Sequence, residues 1–280
     1  MRKPFQLLSD GRQLFSSRLK RISGDFIISI LASVIYTFAR QIVVFPLLAA
    51  RLSDADYGTL LTVAGLANVC TAMIGGSLNN IRLIEDSRYQ EQGQPGDFNL
   101  LCLLGSGVSV VFAAVLWRMF ALSPLTAFLL GAYLVVSNLY QYATAFFRLE
   151  LNFKRALWCN VAASAAYCAA ALLFATAELW PAIFLVGEGV GLLFVWKTTP
   201  FSREPLSRTP LFSATAATLL TYMATNLIGN LLTYADRMIL YPILGGEGVS
   251  YYSTASFFGK SAGIVMVPIA GVLLGYFAQK

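Results

Sequence analysis

Five ionisable side chains lie within stretches of sequence that otherwise consist of apolar residues. They are Arg40, Glu188, Asp236, Arg237 and Lys260. If these stretches cross a membrane, each charge near the midplane costs on the order of 2.5–3.5 kcal/mol, so it must face a cavity or a partner. Three cations against two carboxylates leave a net charge of +1. An unneutralised guanidinium binds phosphate through paired hydrogen bonds, so the pattern predicts a site for an anionic ligand.

Each of these residues also has a plainer interpretation. Asp236 and Glu188 are candidates either for ion coupling or for simple charge pairing with a neighbouring helix. The amides of Asn68 and Asn226, taken singly, indicate interhelical hydrogen bonds. With the other asparagines at 79, 80, 138 and 230, they would also suit a wet cavity that binds sugar hydroxyls.

The sequence gives no sign of a metal site, a cofactor or a catalytic centre. It contains no histidine, and its four cysteines lie in apolar stretches without Cys-x-x-Cys spacing. No Gly-x-Ser-x-Gly or His-Glu-x-x-His pattern occurs. We therefore expect a protein that is not an enzyme.

The elements that must position these residues are transmembrane helices. The chain of 280 residues is 57% hydrophobic and 12% charged, against about 25% charged in soluble domains. Apolar stretches of roughly 20 residues, enough to cross a core about 30 Å thick, recur along it. We predict an all-α, polytopic transmembrane bundle of about eight spans, at 26–50, 58–80, 98–117, 124–147, 156–177, 179–196, 211–244 and 250–277.

The basic residues orient this bundle. With a cytoplasmic N-terminus, the inner segments hold fifteen of the 20 lysines and arginines, and the outer loops hold only Arg51 and Arg118. This positive-inside distribution predicts that both termini are cytoplasmic, and it explains the net charge of +6 without nucleic acid. Residues 1–25 form a basic amphipathic segment that suits the surface of anionic membrane lipids.

The first and seventh spans resemble each other. FARQIVVFPLL at 38–48 aligns without gaps with YADRMILYPIL at 234–244, an offset of 196 residues. A repeat unit of six spans preserves orientation, so the two copies would be parallel repeats. The pattern predicts a six-helix lobe at 26–210 and the first two helices of a truncated second lobe at 211–280.

Three features together resemble the polysaccharide (O-antigen, Wzx-like) flippases of the multidrug/oligosaccharidyl-lipid/polysaccharide exporter superfamily. They are RLSDADYGTLLTVAGLANV at 51–69, YADRMILYPILGGEGVSYYSTASFFGK at 234–260 and the basic N-terminal segment. The resemblance extends over the whole chain through short motifs. Members of the family normally have twelve or more spans, whereas this sequence has about eight, so it departs from the family by about four spans.

The resemblance implies a transporter in the bacterial inner membrane whose two lobes enclose a cavity that opens alternately to each side. The implied substrate is a polyprenyl-pyrophosphate-linked oligosaccharide, flipped for surface polysaccharide (lipopolysaccharide) synthesis with H+ or Na+ coupling. Arg40, Arg237 and Lys260, with Asn68 and Asn226, would then bind the substrate. Asp236 and Arg237 would face Arg40 across the cavity.

Two other functions stay open at this stage. A multidrug/cation antiporter of the same superfamily would favour an anionic, aromatic cavity, whereas the charges here sum to a positive value. A membrane glycan polymerase or ligase would need a sizeable outer loop to hold donor and acceptor, and the predicted outer loops have only a few residues.

The predicted topology can be tested by cysteine labelling. In a background without the four native cysteines, a membrane-impermeant thiol reagent should label single cysteines placed at 51–57 and 245–249 from outside the cell, because these are the predicted outer loops. Cysteines at 82–97 should react only after permeabilisation. Labelling of 82–97 in intact cells would contradict the topology.

Overall fold

The computed structural model describes the backbone of residues 24–261 and the side chains of residues 24–256 other than Ser202. The described chain is helical throughout, joined by short connections without any strand. The helices are α1 (Gly24–Arg51), α2 (Asp54–Glu91), α3 (Phe98–Met119), α4 (Pro124–Ala143), α5 (Ala145–Leu149), α6 (Phe153–Phe174), α7 (Trp180–Thr198) and α8 (Phe212–Ser261). The amphipathic N-terminal segment lies almost wholly outside the described residues.

Within the described residues, five helices are long and apolar enough to cross a membrane: α1, α2, α3, α6 and α7. The all-helical prediction is confirmed, and these helices have the length and hydropathy of membrane spans. The count of eight spans stays a prediction. With 38 residues, α2 is about 57 Å long at 1.5 Å per residue, so it extends well beyond a core of about 30 Å.

The connections between helices are segregated to two ends of the bundle. At one end, here called the basic end, Arg155 Nη1 donates to the Thr198 carbonyl (3.0 Å) and Arg82 pairs with Glu204. At the opposite end, Arg51 Nη1 donates to the Leu172 carbonyl (3.0 Å). Consecutive connections alternate between these ends, as the predicted spans require. Which end faces the cytoplasm stays a prediction.

Helix α8 consists of two helical parts that meet at Gly245. Gly245 has φ 67° and ψ −171°, a conformation essentially restricted to glycine. Asp236 interacts with Tyr252, which a straight helix would place about 24 Å away. The chain therefore folds back at Gly245. The turn predicted at 245–249 thus contains one non-helical residue, Gly245.

The fold-back brings α8 against the beginning of α2. A Cβ atom on Gly58 would collide with the Gly246 backbone, and one on Gly246 would collide with the Ala55 carbonyl. Only glycine permits two backbones to approach this closely. Thr59 and Tyr241 share a hydroxyl hydrogen bond (3.1 Å) beside this contact. The glycines thus allow α2 and α8 to pack backbone to backbone at the opposite end.

At the basic end, the same two helices are joined by buried polar groups. Asp97 is fully buried and accepts hydrogen bonds from the Thr209 N–H (2.6 Å), the Thr209 hydroxyl (2.7 Å) and the Tyr89 hydroxyl (2.7 Å). The Tyr89 hydroxyl also lies 2.8 Å from that of Thr215 in α8. This group, called the Asp97 network, connects α2, the start of α3 and the segment that leads into α8.

Arg82 extends this polar contact. It forms ion pairs with Glu204 and with Asp86 (3.1 Å), and its guanidinium lies over the rings of Phe98 (4.5 Å) and Phe146 (5.2 Å). Since Glu204 belongs to the segment before α8, Arg82 fastens that segment to α2. Arg82, one of the basic residues predicted for the inner segments, therefore has a structural role.

Replacement of Asp97 by alanine should destabilise the protein. The change removes the acceptor of both Thr209 donors and of the Tyr89 hydroxyl, of which only Tyr89 keeps another partner, Thr215. Each buried donor left unpaired costs about 1–3 kcal/mol. We expect the apparent melting temperature of the detergent-solubilised protein, followed by fluorescence-detected size exclusion, to fall by several degrees. Glu91→Ala is the control, because Glu91 is an exposed carboxylate on α2. Equal melting temperatures for the two variants would contradict the structural role of the Asp97 network.

Candidate functional site

A cavity of about 960 Å³ lies between α1, α2 and α8. It contains polar groups from all three helices, and Gln141 contributes from α4. Both arginines that sequence analysis placed within spans, Arg40 and Arg237, line it. Arg40 is near the middle of α1, so the cavity lies at the depth at which that helix would cross the centre of a bilayer.

The local structure of α1 places Arg40 in an irregular stretch. Residues Ala39–Val44 form a π-helix in which the Phe45 N–H donates to the Arg40 carbonyl, five residues back. The cause lies at Pro46, which has no N–H to donate to the Ile42 carbonyl and whose ring crowds that carbonyl. Such bulges are frequent at functional sites. The bulge widens one turn of α1 where Arg40 and Gln41 line the cavity.

Arg40 is held by aromatic rings. Its guanidinium carbon lies 5.6 Å from the ring centre of Tyr36, 5.7 Å from that of Tyr167 and 5.2 Å from that of Phe184. These distances fall within the range of cation–π attraction. Among the described residues, no side chain forms a hydrogen bond or an ion pair with the Arg40 guanidinium. Its N–H groups are therefore free, within this part of the chain, to bind a ligand in the cavity.

Arg237 enters the cavity from α8. Its Nη1 donates a long hydrogen bond to the Leu61 carbonyl (3.4 Å), and the guanidinium carbon lies 5.9 Å from the ring centre of Tyr234. Its Nε is buried and has no hydrogen-bond partner among the described residues. The guanidinium thus keeps unused donors, as Arg40 does.

No aspartate or glutamate occurs among the described residues that line the cavity. The other polar lining residues, apart from tyrosines, carry amides or hydroxyls, and they are Thr37, Gln41, Asn68, Thr71, Gln141, Asn230, Thr233, Ser253 and Thr254. Three tyrosines, Tyr36, Tyr57 and Tyr234, add ring faces. Two guanidinium groups therefore share the cavity without a carboxylate in its described lining, and the arrangement suits an anion attached to a hydroxyl-rich group.

The remaining predicted site residues lie elsewhere. Asn226 is outside the cavity lining, and its Nδ2 donates to Ser77 Oγ (2.8 Å), an α8–α2 hydrogen bond. Asp236 is not among the lining residues either; its Oδ1 accepts from the Arg237 N–H (2.8 Å). Glu188 is buried in α7, behind Arg40. The side chain of Lys260 lies outside the described residues.

Asn68 lines the cavity, and its Nδ2 donates to the Tyr234 hydroxyl (3.2 Å). This contact joins α2 to α8, so Asn68 forms the interhelical hydrogen bond considered for it, while its role in binding a ligand stays a prediction. Sequence reasoning missed the cavity tyrosines and Gln141. Tyrosines within apolar spans were the available signal, since a buried hydroxyl needs a partner.

The cavity offers no ligand set for a metal. Among the described residues, no group of three or more His, Cys, Asp or Glu side chains could hold a metal ion. The lining is suited to binding: its cationic donors fit an anion, its amides and hydroxyls fit polar groups, and its aromatic faces fit flat or apolar surfaces.

Comparison of the chain with protein-family models, with curated proteins and with solved structures found no significant match.

Proposed function

We propose that this protein is a membrane transporter that flips a polyprenyl-pyrophosphate-linked oligosaccharide across the bacterial cytoplasmic membrane for surface polysaccharide synthesis. The observation that supports it is the cavity between α1, α2 and α8, which contains Arg40 and Arg237 without a carboxylate in its described lining. A protein that handles such a substrate must replace water around the pyrophosphate while the lipid tail remains in the bilayer.

The energetics favour an anionic occupant. Two guanidinium groups line the cavity at membrane depth, where the hydration of a charge is reduced. A pyrophosphate would satisfy both, since each guanidinium can form two parallel hydrogen bonds to phosphate oxygens. Burying the site in protein strengthens these contacts compared with water. An uncharged or cationic occupant would leave both guanidinium charges without a counter-charge.

The remaining lining fits the rest of the proposed substrate. Sugar hydroxyls need donors and acceptors, which the amides of Gln41, Gln141 and Asn230 supply. Tyrosine rings provide flat apolar faces. On the outer surface of α1, Ile27, Leu31 and Phe38 are exposed, as expected for a helix in contact with lipid.

This function agrees with the geometry better than its two rivals. A cation antiporter would need carboxylates in the cavity, and the described lining contains none. A polymerase or ligase would need a large outer loop. At the opposite end, the connections after α1, α3 and α6 contain only a few residues, and α8 turns at Gly245.

Substitution of the cavity arginines tests the proposal. In cells that lack the native gene, Arg40→Ala or Arg237→Ala should reduce export of surface polysaccharide by about tenfold or more, because a hydrogen bond to a charged group contributes about 1.5–3 kcal/mol. Arg→Lys at either position should retain partial export, since a point charge still attracts phosphate. Export is measured by polysaccharide staining at matched levels of membrane-inserted protein.

Arg118→Ala provides the matched control. Arg118 is an exposed arginine at the opposite end, beside Trp117 and away from the cavity, so its removal should leave export unchanged. Normal export by both cavity variants would refute the proposed function and leave helix packing as the reason for these charges.

A further inference from the structure

A buried carboxylate lies behind the cavity, on the far side of the rings that hold Arg40. Glu188 of α7 is 2% exposed, and its Oε1 accepts hydrogen bonds from the hydroxyls of Tyr36 (3.2 Å) and Tyr167 (3.1 Å). The two hydroxyl oxygens lie 3.0 Å from each other. Three helices, α1, α6 and α7, therefore meet at one carboxylate oxygen.

A count of hydrogens explains why this oxygen matters. Three pairs of oxygens are in contact here: Tyr36 with Glu188, Tyr167 with Glu188, and Tyr36 with Tyr167. Each phenol carries one hydrogen, so only two hydrogens are available for these three contacts. Donation of both hydrogens to Glu188 Oε1 satisfies both hydroxyls at once. Without an acceptor at this point, at most one of the two phenols could donate to the other, and the second would be a buried donor without a partner. The carboxylate thus determines where both hydroxyls point.

The hydrogen bonds to Glu188 fix the positions of the two phenol oxygens, and this constrains how the two rings lie. The rings of Tyr36 and Tyr167 are edge to face, with centres 5.6 Å apart and planes at 76°. A Cβ atom on Gly187 would collide with the Tyr167 ring, so the glycine beside Glu188 leaves space for it. Both rings lie within 6 Å of the Arg40 guanidinium carbon. Glu188 therefore acts on Arg40 through the two tyrosines.

Glu188 does not pair with Arg40 directly. No ion pair between them occurs within the described residues, and neither carboxylate oxygen is hydrogen-bonded to the guanidinium. Among the described residues, Oε2 is buried without a hydrogen-bond partner, and Ser137 lies close to the carboxylate. A direct ion pair would occupy the Arg40 N–H groups that a ligand needs. The intervening phenols leave those groups available.

We propose that Glu188 is a positioning residue for the anion site: it fixes the rings of Tyr36 and Tyr167, and these seat the Arg40 guanidinium with its N–H groups toward the cavity. The proposal rests on the proposed function, because it assumes that Arg40 binds the anionic group of the substrate. It assigns Glu188 a role as hydrogen-bond acceptor, distinct from neutralising a cation.

The test measures binding of geranyl pyrophosphate to the full chain in lipid nanodiscs, with geraniol as the uncharged control. Glu188→Leu removes the acceptor and should weaken binding roughly three- to tenfold, the range expected from partial loss of cation–π contacts. Glu188→Gln keeps a carbonyl oxygen that can accept from both phenols, so it should retain near-native affinity. Geraniol binding should not change in either variant.

A double-mutant cycle separates positioning from general stability. In an Arg40→Ala background, Glu188→Leu should cause no further loss of affinity, because its effect passes through Arg40. If Glu188→Leu does not fold, Tyr167→Phe replaces it, since this change removes one hydroxyl and keeps the ring. We expect it to weaken binding about two- to threefold, corresponding to part of one cation–π contact.

Three results would overturn the proposal. If Glu188→Gln loses as much affinity as Glu188→Leu, charge rather than hydrogen-bond acceptance matters. If Arg40→Ala weakens binding but neither Glu188→Leu nor Tyr167→Phe does, Glu188 does not position Arg40, while the proposed function stands. If Arg40→Ala itself leaves geranyl pyrophosphate binding unchanged, the proposed function fails and this inference fails with it.

Discussion

Solvation of the Arg40 guanidinium is the constraint to which much of the described structure responds. At membrane depth, the rings of Tyr36, Tyr167 and Phe184 take the place of water on one side of the guanidinium, and its other side faces the cavity. These rings come from α1, α6 and α7, so the charge requires three helices to converge on one point. That convergence places a carboxylate at the centre of the cluster and requires glycine beside it.

Two irregularities of the backbone turn this packing into a cavity. Pro46 forces the π-helical stretch that contains Arg40, and Gly245 lets α8 fold back, so that Arg237 and Thr254 line the same space. Regular helices at both places would present continuous ridges of side chains, which pack into the grooves of neighbouring helices and leave little space. Helix α2 is irregular here as well, because its π-helical stretch Ala72–Gly76 contributes Ala72 to the lining. All three helices around the cavity therefore depart from a regular α-helix.

The sequence predicted the helical fold and the cavity arginines because both depend on local signals. Long apolar stretches indicate membrane helices, and a charge within one indicates a polar site. The pairing of Arg40 with its tyrosines does not follow from local signals: Tyr36 and Tyr167 are 131 positions apart, and only the packing of α1 on α6 brings them together. Gly187 and Gly191 have the four-residue spacing that is typical of closely packed helix backbones, whereas in the structure both glycines accommodate tyrosine rings.

The asparagines show the same limit. Asn68 and Asn226 look equivalent in sequence, but one lines the cavity and the other bonds to Ser77 between α2 and α8. The difference depends on the rotation of each helix about its axis, which is determined by packing. A polar residue in an apolar helix predicts a polar contact; its direction follows from the neighbours.

The start of α8 and its turn at Gly245 are attached to α2 by different physical means. At the basic end, Tyr89, Asp97 and Thr209 form buried hydrogen bonds, each of which contributes about 1 kcal/mol and leaves a costly orphan when broken. At the turn, Gly58 and Gly246 are in backbone contact, with the hydroxyl hydrogen bond between Thr59 and Tyr241 (3.1 Å) beside it. Dispersion contacts between backbones are individually weak, but a gap of about 0.5–1 Å already forfeits a quarter to a half of each. Displacement of α8 from α2 therefore orphans buried donors at the basic end and loses close packing at the turn, with the cavity between the two.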